Sequence, residues 1–240
     1  MNVLPITREG ALLSKLRAMF GADAQIQEGD VRLEKVLASN NVSQRFNLNG
    51  EGTGRRPLEV FIGLNDLVIP YALKVALNKV DTTLPGNNGN VQDLTFPDAQ
   101  IFNDPATATA VSEADALNSI YSGTMSLKAN TIEILNTMQL RRFKVIPQTQ
   151  GSATTVTQNT PDGGWVDILQ PAIFSGRDTN ILEFQPSSGS DLQLIGGATG
   201  TQNVLVFHFK VMVVRNGAQP TTWTEVSDIL EKYTQDRVIL

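Results

Sequence analysis

The chain has 240 residues, of which 41% are hydrophobic and only 18% charged, with a net charge of −5. That length supports a core of ordinary size in one large β domain or two small ones, and the acidic balance argues against a general nucleic-acid binder, which needs clustered Lys and Arg. The lack of cysteine removes disulfides, thiolate nucleophiles and Cys-based zinc sites together, and a single histidine, His208, removes His-rich metal sites.

With so few charges the surface must be largely neutral polar, built from Asn, Gln, Thr and Ser, which favours large contacts between subunits. Arg55-Arg56 and Arg141-Arg142 are isolated pairs, not a basic patch. Met1 to Pro5 is short, and the segment after it is amphipathic, so no secretion leader is expected. No run approaches the ~18 apolar residues that span a bilayer. Asn41-Val42-Ser43 matches a glycosylation sequon, which is read as chance without a leader.

In chain order, Thr7 to Phe20 reads as a helix. Thr7 can cap it, Leu12, Leu13, Leu16, Met19 and Phe20 form one apolar stripe, and Gly21 is a C-terminal stop. Two placements stay open for this helix. It packs on its own domain, or it is an arm that docks on a neighbouring subunit. Val31 to Leu37 is ambiguous between short helix and strand. From Val42 the pattern turns to β, with Val42, Phe46 and Leu48 on one face.

Gly50-Glu51-Gly52-Thr53-Gly54 resembles half of a dinucleotide loop, but Arg55-Arg56-Pro57 and a strand follow. A phosphate cradle needs a helix N-terminus there. Leu58 to Ile62 and Val68 to Val80 are strand-like, separated by Gly63-Leu64-Asn65-Asp66. Leu73, Val75 and Leu77 share a face. Leu84 to Asn90 is a turn cluster, and a short helix is expected to begin at Ser112.

Thr124 to Asn130 alternates cleanly, with Met125, Leu127 and Ala129 on the apolar side. At Thr131 the parity flips, because Ile132 and Ile134 are now apolar, so the chain must bulge or turn there. Arg142 to Ile146, Trp165 to Leu169 and Asn180 to Phe184 are further strands. Gly151 to Gly164 is a polar loop, and Gly196 to Gly200 precedes a strand, so it is no phosphate loop either. Val204 to Val214 is a long strand. Leu205, Phe207, Phe209, Val211 and Val213 make one fully apolar face, His208 and Lys210 lie on the other, and Asn216-Gly217 turns the chain. A final helix is expected, with Val226, Ile229, Leu230 and Tyr233 as its stripe.

Chemistry is nearly absent from this pattern. No Gly-x-Ser-x-Gly elbow accompanies His208, and no Asp-x-Asp-x-Asp-Gly calcium loop occurs. Glu59, Asp66, Glu133, Asp167 and Glu183 could supply a glycosidase pair, but 24 acidic residues provide such candidates by chance. Trp165 and Trp223 could stack on a sugar, although core or interface packing is the better reading.

The expected fold is therefore mainly β, an antiparallel β-sandwich (jelly-roll-like) with amphipathic helices at both termini. The expected organisation is an N-terminal helical arm over 1–40, a β-sandwich body over 41–219 and a C-terminal helix over 220–240. The candidate subunit-interface residues are Leu12, Leu13, Leu16, Met19, Phe20, Val226, Ile229, Leu230 and Tyr233. The run from Ile120 to Lys128, the run from Arg142 to Gln150 and the strand Val204 to Asn216 resemble, in texture over most of the chain, the jelly-roll coat proteins of small tailless icosahedral bacteriophages. That resemblance implies a structural, non-enzymatic major capsid protein of a virion assembled in the host cytoplasm. It would need no cofactor, and its partners would be copies of itself in trimers or pseudo-hexameric capsomers, with other virion proteins beside them. A single jelly roll is preferred, since a double one needs about sixteen strands, which this chain could only just fit. A compact double one stays open. The tailed-phage capsid fold, which needs a long spine helix absent from the pattern, is a further alternative. The rival readings are a β-sandwich binding module, carbohydrate-binding or associated with a phage tail fibre, and a glycan-active hydrolase with a carboxylate pair.

Overall fold

A computed structural model describes residues 8–21, 23–36, 43–48, 62–81, 119–129, 132–143, 164–168, 173–187 and 201–216. Among them the chain is mainly β. Helix α1 (Arg8–Phe20) precedes strands β1 (Ile26–Val36), β2 (Gln44–Asn47), β3 (Leu67–Asp81), β4 (Thr124–Ala129), β5 (Ile132–Gln139), β6 (Val166–Asp167), β7 (Phe174–Ser175), β8 (Asn180–Gln185) and β9 (Thr201–Val214). One sheet runs β1-β9-β3-β6, with β7 also paired to β3, and the other runs β2-β8-β4-β5. Every pairing is antiparallel.

The long strand β9 is the spine of the first sheet. Leu205, Phe207, Phe209, Val211 and Val213 all enter the main core. Val31 and Leu33 of β1, and Val68, Leu73 and Val75 of β3, lie on the same inward side. From the second sheet come Phe46 of β2, Met125, Leu127 and Ala129 of β4, and Leu182 and Phe184 of β8. Phe46 meets Phe207 edge-on with ring centroids 5.1 Å apart, and Phe184 lies 6.2 Å from the same ring. Each such aromatic pair adds about 1 kcal/mol beyond its buried area. The inward faces of the two sheets thus share one core.

Register across β3 is kept by a bulge. Pro70 faces Val211 and Ala72 faces Lys210, so Tyr71 is the extra residue. Proline has no N–H for a ladder, and within sheets it is tolerated at such irregularities. The bulged carbonyl of Tyr71 accepts the N–H of Ile168 at 2.9 Å, which begins the β6 edge. Past the bulge, Leu73 and Val75 again point inward, opposite Phe209 and Phe207.

The structure resolves the open readings and changes others. Val31 to Leu37 resolves as strand through Val36, with charges on alternate residues diluting its apolar signal, and β1 pairs with β9 over its whole length. The first sheet therefore begins well before residue 41, where the alternation alone placed the start of the β body. Arg142 opens no strand: Leu140–Phe143 is a 3-10 turn that buries Leu140 and Phe143 in the core and leaves both arginines exposed. The parity flip near Thr131 is a hairpin, with Ala129 opposite Ile132. The expected strand over 58–61, the turn cluster 84–90, the loops 50–54 and 151–163 and the C-terminal helix over 220–240 lie outside the described residues.

Helix α1 finds its surface on the outer face of the first sheet. Leu12 and Leu16 pack with Leu67, Ile69, Tyr71, Ala72, Ile173, Met212 and Val214, and Phe20, Ile26 and Trp165 fringe this cluster. A helix of 13 residues is marginal alone in water, so this apolar contact sustains it. Burying each leucine is worth roughly 2 kcal/mol. Gly21, at φ 95, ends the helix in the left-handed region that favours glycine.

Candidate functional site

The polar groups gather in three places. The first is at one end of the first sheet, where β3 and β1 begin and β9 ends. Gly63-Leu64-Asn65-Asp66 is a tight turn, with the Asp66 N–H donating to the Gly63 carbonyl at 3.0 Å. Asp66 is buried. Its Oδ2 accepts from the Gly63 N–H at 2.8 Å and from Arg215 Nη1 at 2.5 Å, and its Oδ1 accepts from the Asn216 N–H at 3.1 Å. Arg215 Nη2 also donates to Gln27 Oε1 at 2.8 Å. Asn216 has φ 54, a left-handed conformation that Asn tolerates. Burial pushes the Asp66 carboxyl up, but the hydrogen bonds from Gly63, Asn216 and Arg215 outweigh it and hold it below the usual carboxylate value. This carboxylate is saturated by its own chain.

The neighbouring loop is locked to the same turn. The Gly176 N–H donates to the Asp66 carbonyl at 2.9 Å, and Arg177 Nη2 donates to Asn65 Oδ1 at 2.6 Å. A Cβ on Gly176 would stand 2.0 Å from the Gly63 carbonyl oxygen, so only glycine permits this approach. Ala24, Gln25, Ile26 and Gln27 complete an open depression around Asp66 and Arg215.

The second place is the outer face of the first sheet beyond α1. Arg32, His208 and Lys74 stand side by side across β1, β9 and β3. His208 Nε2 lies 3.5 Å from Asp30 Oδ1, and its ring packs 4.9 Å from that of Trp165. The Lys210 ammonium sits 5.1 Å from the Trp165 ring centroid. Arg32 pairs with Glu34 one step along the same face. Trp165 thus packs against an imidazole and beside a cation of its own chain.

The third is the outer face of the second sheet. Glu183 of β8 accepts from Lys128 Nζ at 2.6 Å and from Arg45 Nε at 3.3 Å. The hydrogen bond from Lys128 holds the Glu183 carboxyl below its ordinary value, with the Lys128 and Arg45 charges acting the same way and burial opposing them. Glu133 stands opposite Lys128 across the hairpin and is exposed. A glycosidase acid needs its carboxyl raised, and here Lys128 holds Glu183 the other way.

The candidate interface residues divide as follows. Leu12 and Leu16 are buried under the chain's own first sheet, at 7% and 1% exposure. Leu13, Met19 and Phe20 are half-buried on the flanks of the same stripe. Val226, Ile229, Leu230 and Tyr233 lie outside the described residues, as do Glu59 and Trp223. Asp167 is exposed on the short β6 edge. The Asp66–Arg215 pair joins residues far apart in sequence, and no local motif announces it beyond the turn chemistry on each side. Among the described residues no cluster of His, Asp and Glu could hold a metal ion, and no helix is long and apolar enough to cross a membrane. No protein-family model matches the chain, and a search of curated proteins gives no significant match.

Proposed function

We propose that this chain is a jelly-roll sandwich that assembles with copies of itself, as the major capsid protein of a virion whose capsomers build an icosahedral shell. The observation that carries this reading is the strand order. An antiparallel ribbon of eight strands folded on itself pairs the first strand with the eighth, the second with the seventh, the third with the sixth and the fourth with the fifth. Wrapped into two sheets, that ribbon reads 1-8-3-6 and 2-7-4-5. β6 and β7 both pair with β3, so they count as one interrupted strand. The sheets β1-β9-β3-β6 and β2-β8-β4-β5 then follow the same order.

A jelly roll hosts capsid, lectin and other functions, so the sites must choose between them. Asp66 and Glu183, the buried and half-buried candidate acids among the described residues, are both held in the charged form by their own chain, which disfavours acid catalysis there. Trp165 is packed against His208 and Lys210, which disfavours a sugar platform there. The low charge of 18% leaves neutral-polar surface suited to contacts between subunits.

Purified full-length protein viewed by negative-stain microscopy is expected to give discrete capsomers or closed particles. A monodisperse monomer that binds glycans on an array would overturn the capsid reading in favour of a binding module. Loss of a detected hydrolase activity in His208→Ala, at unchanged thermal stability, would overturn it in favour of an enzyme.

A further inference from the structure

We infer that the outer edge of β1 is a docking site for an extended basic segment of another protein. That segment adds as a strand beside residues 26–30, with Lys or Arg opposite Glu28 and Asp30. β1 stands at the end of the first sheet, and among the described residues no strand pairs with its second edge. The Arg215 N–H donates to the Gln25 carbonyl at 2.9 Å, and the ladder runs on with Ile26 opposite Val214 and Gln27 opposite Val213. Bonded and non-bonded pairs alternate along an antiparallel ladder. The odd-numbered residues of β1 therefore bond to β9, while Ile26, Glu28 and Asp30 aim their N–H and C=O groups at the other edge. Groups so placed pair with an extended backbone that reaches them. The edge is also regular, because β1 pairs with β9 over its whole length with no register shift and contains no proline. Among the described residues the second sheet approaches β1 near its far end, where Lys35 Nζ donates to the Arg45 carbonyl at 3.0 Å. At the near end Gln27 and Glu28 are exposed.

Charge decides which strand fits. Glu28 and Asp30 lie two residues apart, so their side chains stand on one face of β1. Glu28 accepts from the Tyr71 hydroxyl at 2.6 Å, a neutral donor that leaves its charge in place. Asp30 lies 3.5 Å from His208 Nε2. A second copy of β1, paired antiparallel about Glu28 or Gly29, would set Glu28 against Glu28 or against Asp30. Like charges directly opposite are destabilising, so the acids guard this stretch against pairing with itself. A strand that puts cations at the same two places gains both the ladder and two opposite-charge pairs. Because the partner is a different protein, the edge serves a lone chain as well as an assembled subunit.

The test titrates the full-length protein into a fluorescein-labelled peptide, Thr-Val-Lys-Val-Lys-Val-Thr, and follows anisotropy. Amide hydrogen exchange of the same complex reports where the peptide lies. Saturable binding with slowed exchange at the Glu28 and Asp30 amides is the expected result. Methylating the backbone nitrogens of both lysines keeps the charge and removes the donors that face the edge. It should weaken binding at least about tenfold. Replacing both lysines with glutamate should weaken it as well. The double variant Glu28→Lys, Asp30→Lys should reverse the preference and take the glutamate peptide over the lysine one. The methylated peptide on the wild-type chain carries the test without that variant should it fail to fold. No binding at millimolar peptide, equal binding of the methylated peptide, or protection that falls outside β1 overturns the site. So does a folded double variant that still prefers lysine.

Discussion

Single side chains carry much of the order at the loop end of the first sheet. Asp66 accepts three hydrogen bonds there, two from backbone and one from Arg215. Asp66→Asn keeps the shape but removes the charge that Arg215 pairs with, and it should cost about 2 kcal/mol in a denaturant titration. Its neighbour Gly176 leaves no room for a methyl group against the Gly63 carbonyl, a backbone atom that cannot swing aside. Gly176→Ala should therefore cost at least about 2 kcal/mol by the same titration. Gln44 presents the opposite case. It lies buried beside Phe184 at 1% exposure, with neither side-chain amide atom hydrogen-bonded. A buried amide without a partner costs roughly 1–3 kcal/mol, so Gln44→Met, of similar volume, should raise the melting temperature. A lower melting temperature in a thermal scan would show that the amide is used. The turn residues Gly63 and Asp66 were legible as a loop, and Asn216 as a turn. The ion pair between Asp66 and Arg215 was not, because nothing local in a sequence reports a partner some 150 positions away.

Secondary elements separate cleanly into those whose pattern was sufficient and those that needed their neighbours. β4 alternates buried and half-buried residues along its whole length, as Thr124 to Ala129 reads. The apolar face of β9 likewise lies wholly in the core. β1 was ambiguous because Asp30, Arg32 and Glu34 break up its apolar signal, and pairing with the most apolar strand of the chain decides the matter. Arg142 and Phe143 fit a strand by composition, but the hydrogen bond from the Leu140 N–H to the Gly123 carbonyl closes the chain into a 3-10 turn. Helix α1 was legible as a helix with a stripe, whereas its seat was not, since a sheet's outer face is assembled from three separate segments. Leu16 is nearly fully enclosed in that seat, so Leu16→Ala should cost about 2–3 kcal/mol by thermal or chemical unfolding. Leu13→Ala, on the half-buried flank, should cost less.

Among the described residues two antiparallel sheets are joined through one core, and helix α1 is laid on an apolar patch of the first sheet's outer face. Two carboxylates among the described residues, Asp66 and Glu183, are held below their ordinary values of 3.8 and 4.5. Each contributes stability that is present above the ordinary value and lost as pH falls through the lower folded value. Stability should be flat through neutral pH and decline below about pH 4, and the decline should be shallower in Asp66→Asn. The strand order was the least legible feature, because alternation gives strands but not their neighbours. The same order is the ground for reading the chain as a shell subunit. The mass of the purified protein in solution, by light scattering coupled to size exclusion, tests that reading most directly. A discrete multiple of the 26.1 kDa chain, such as a trimer or larger capsomer, is the predicted result. A single species of 26.1 kDa at all concentrations would contradict it.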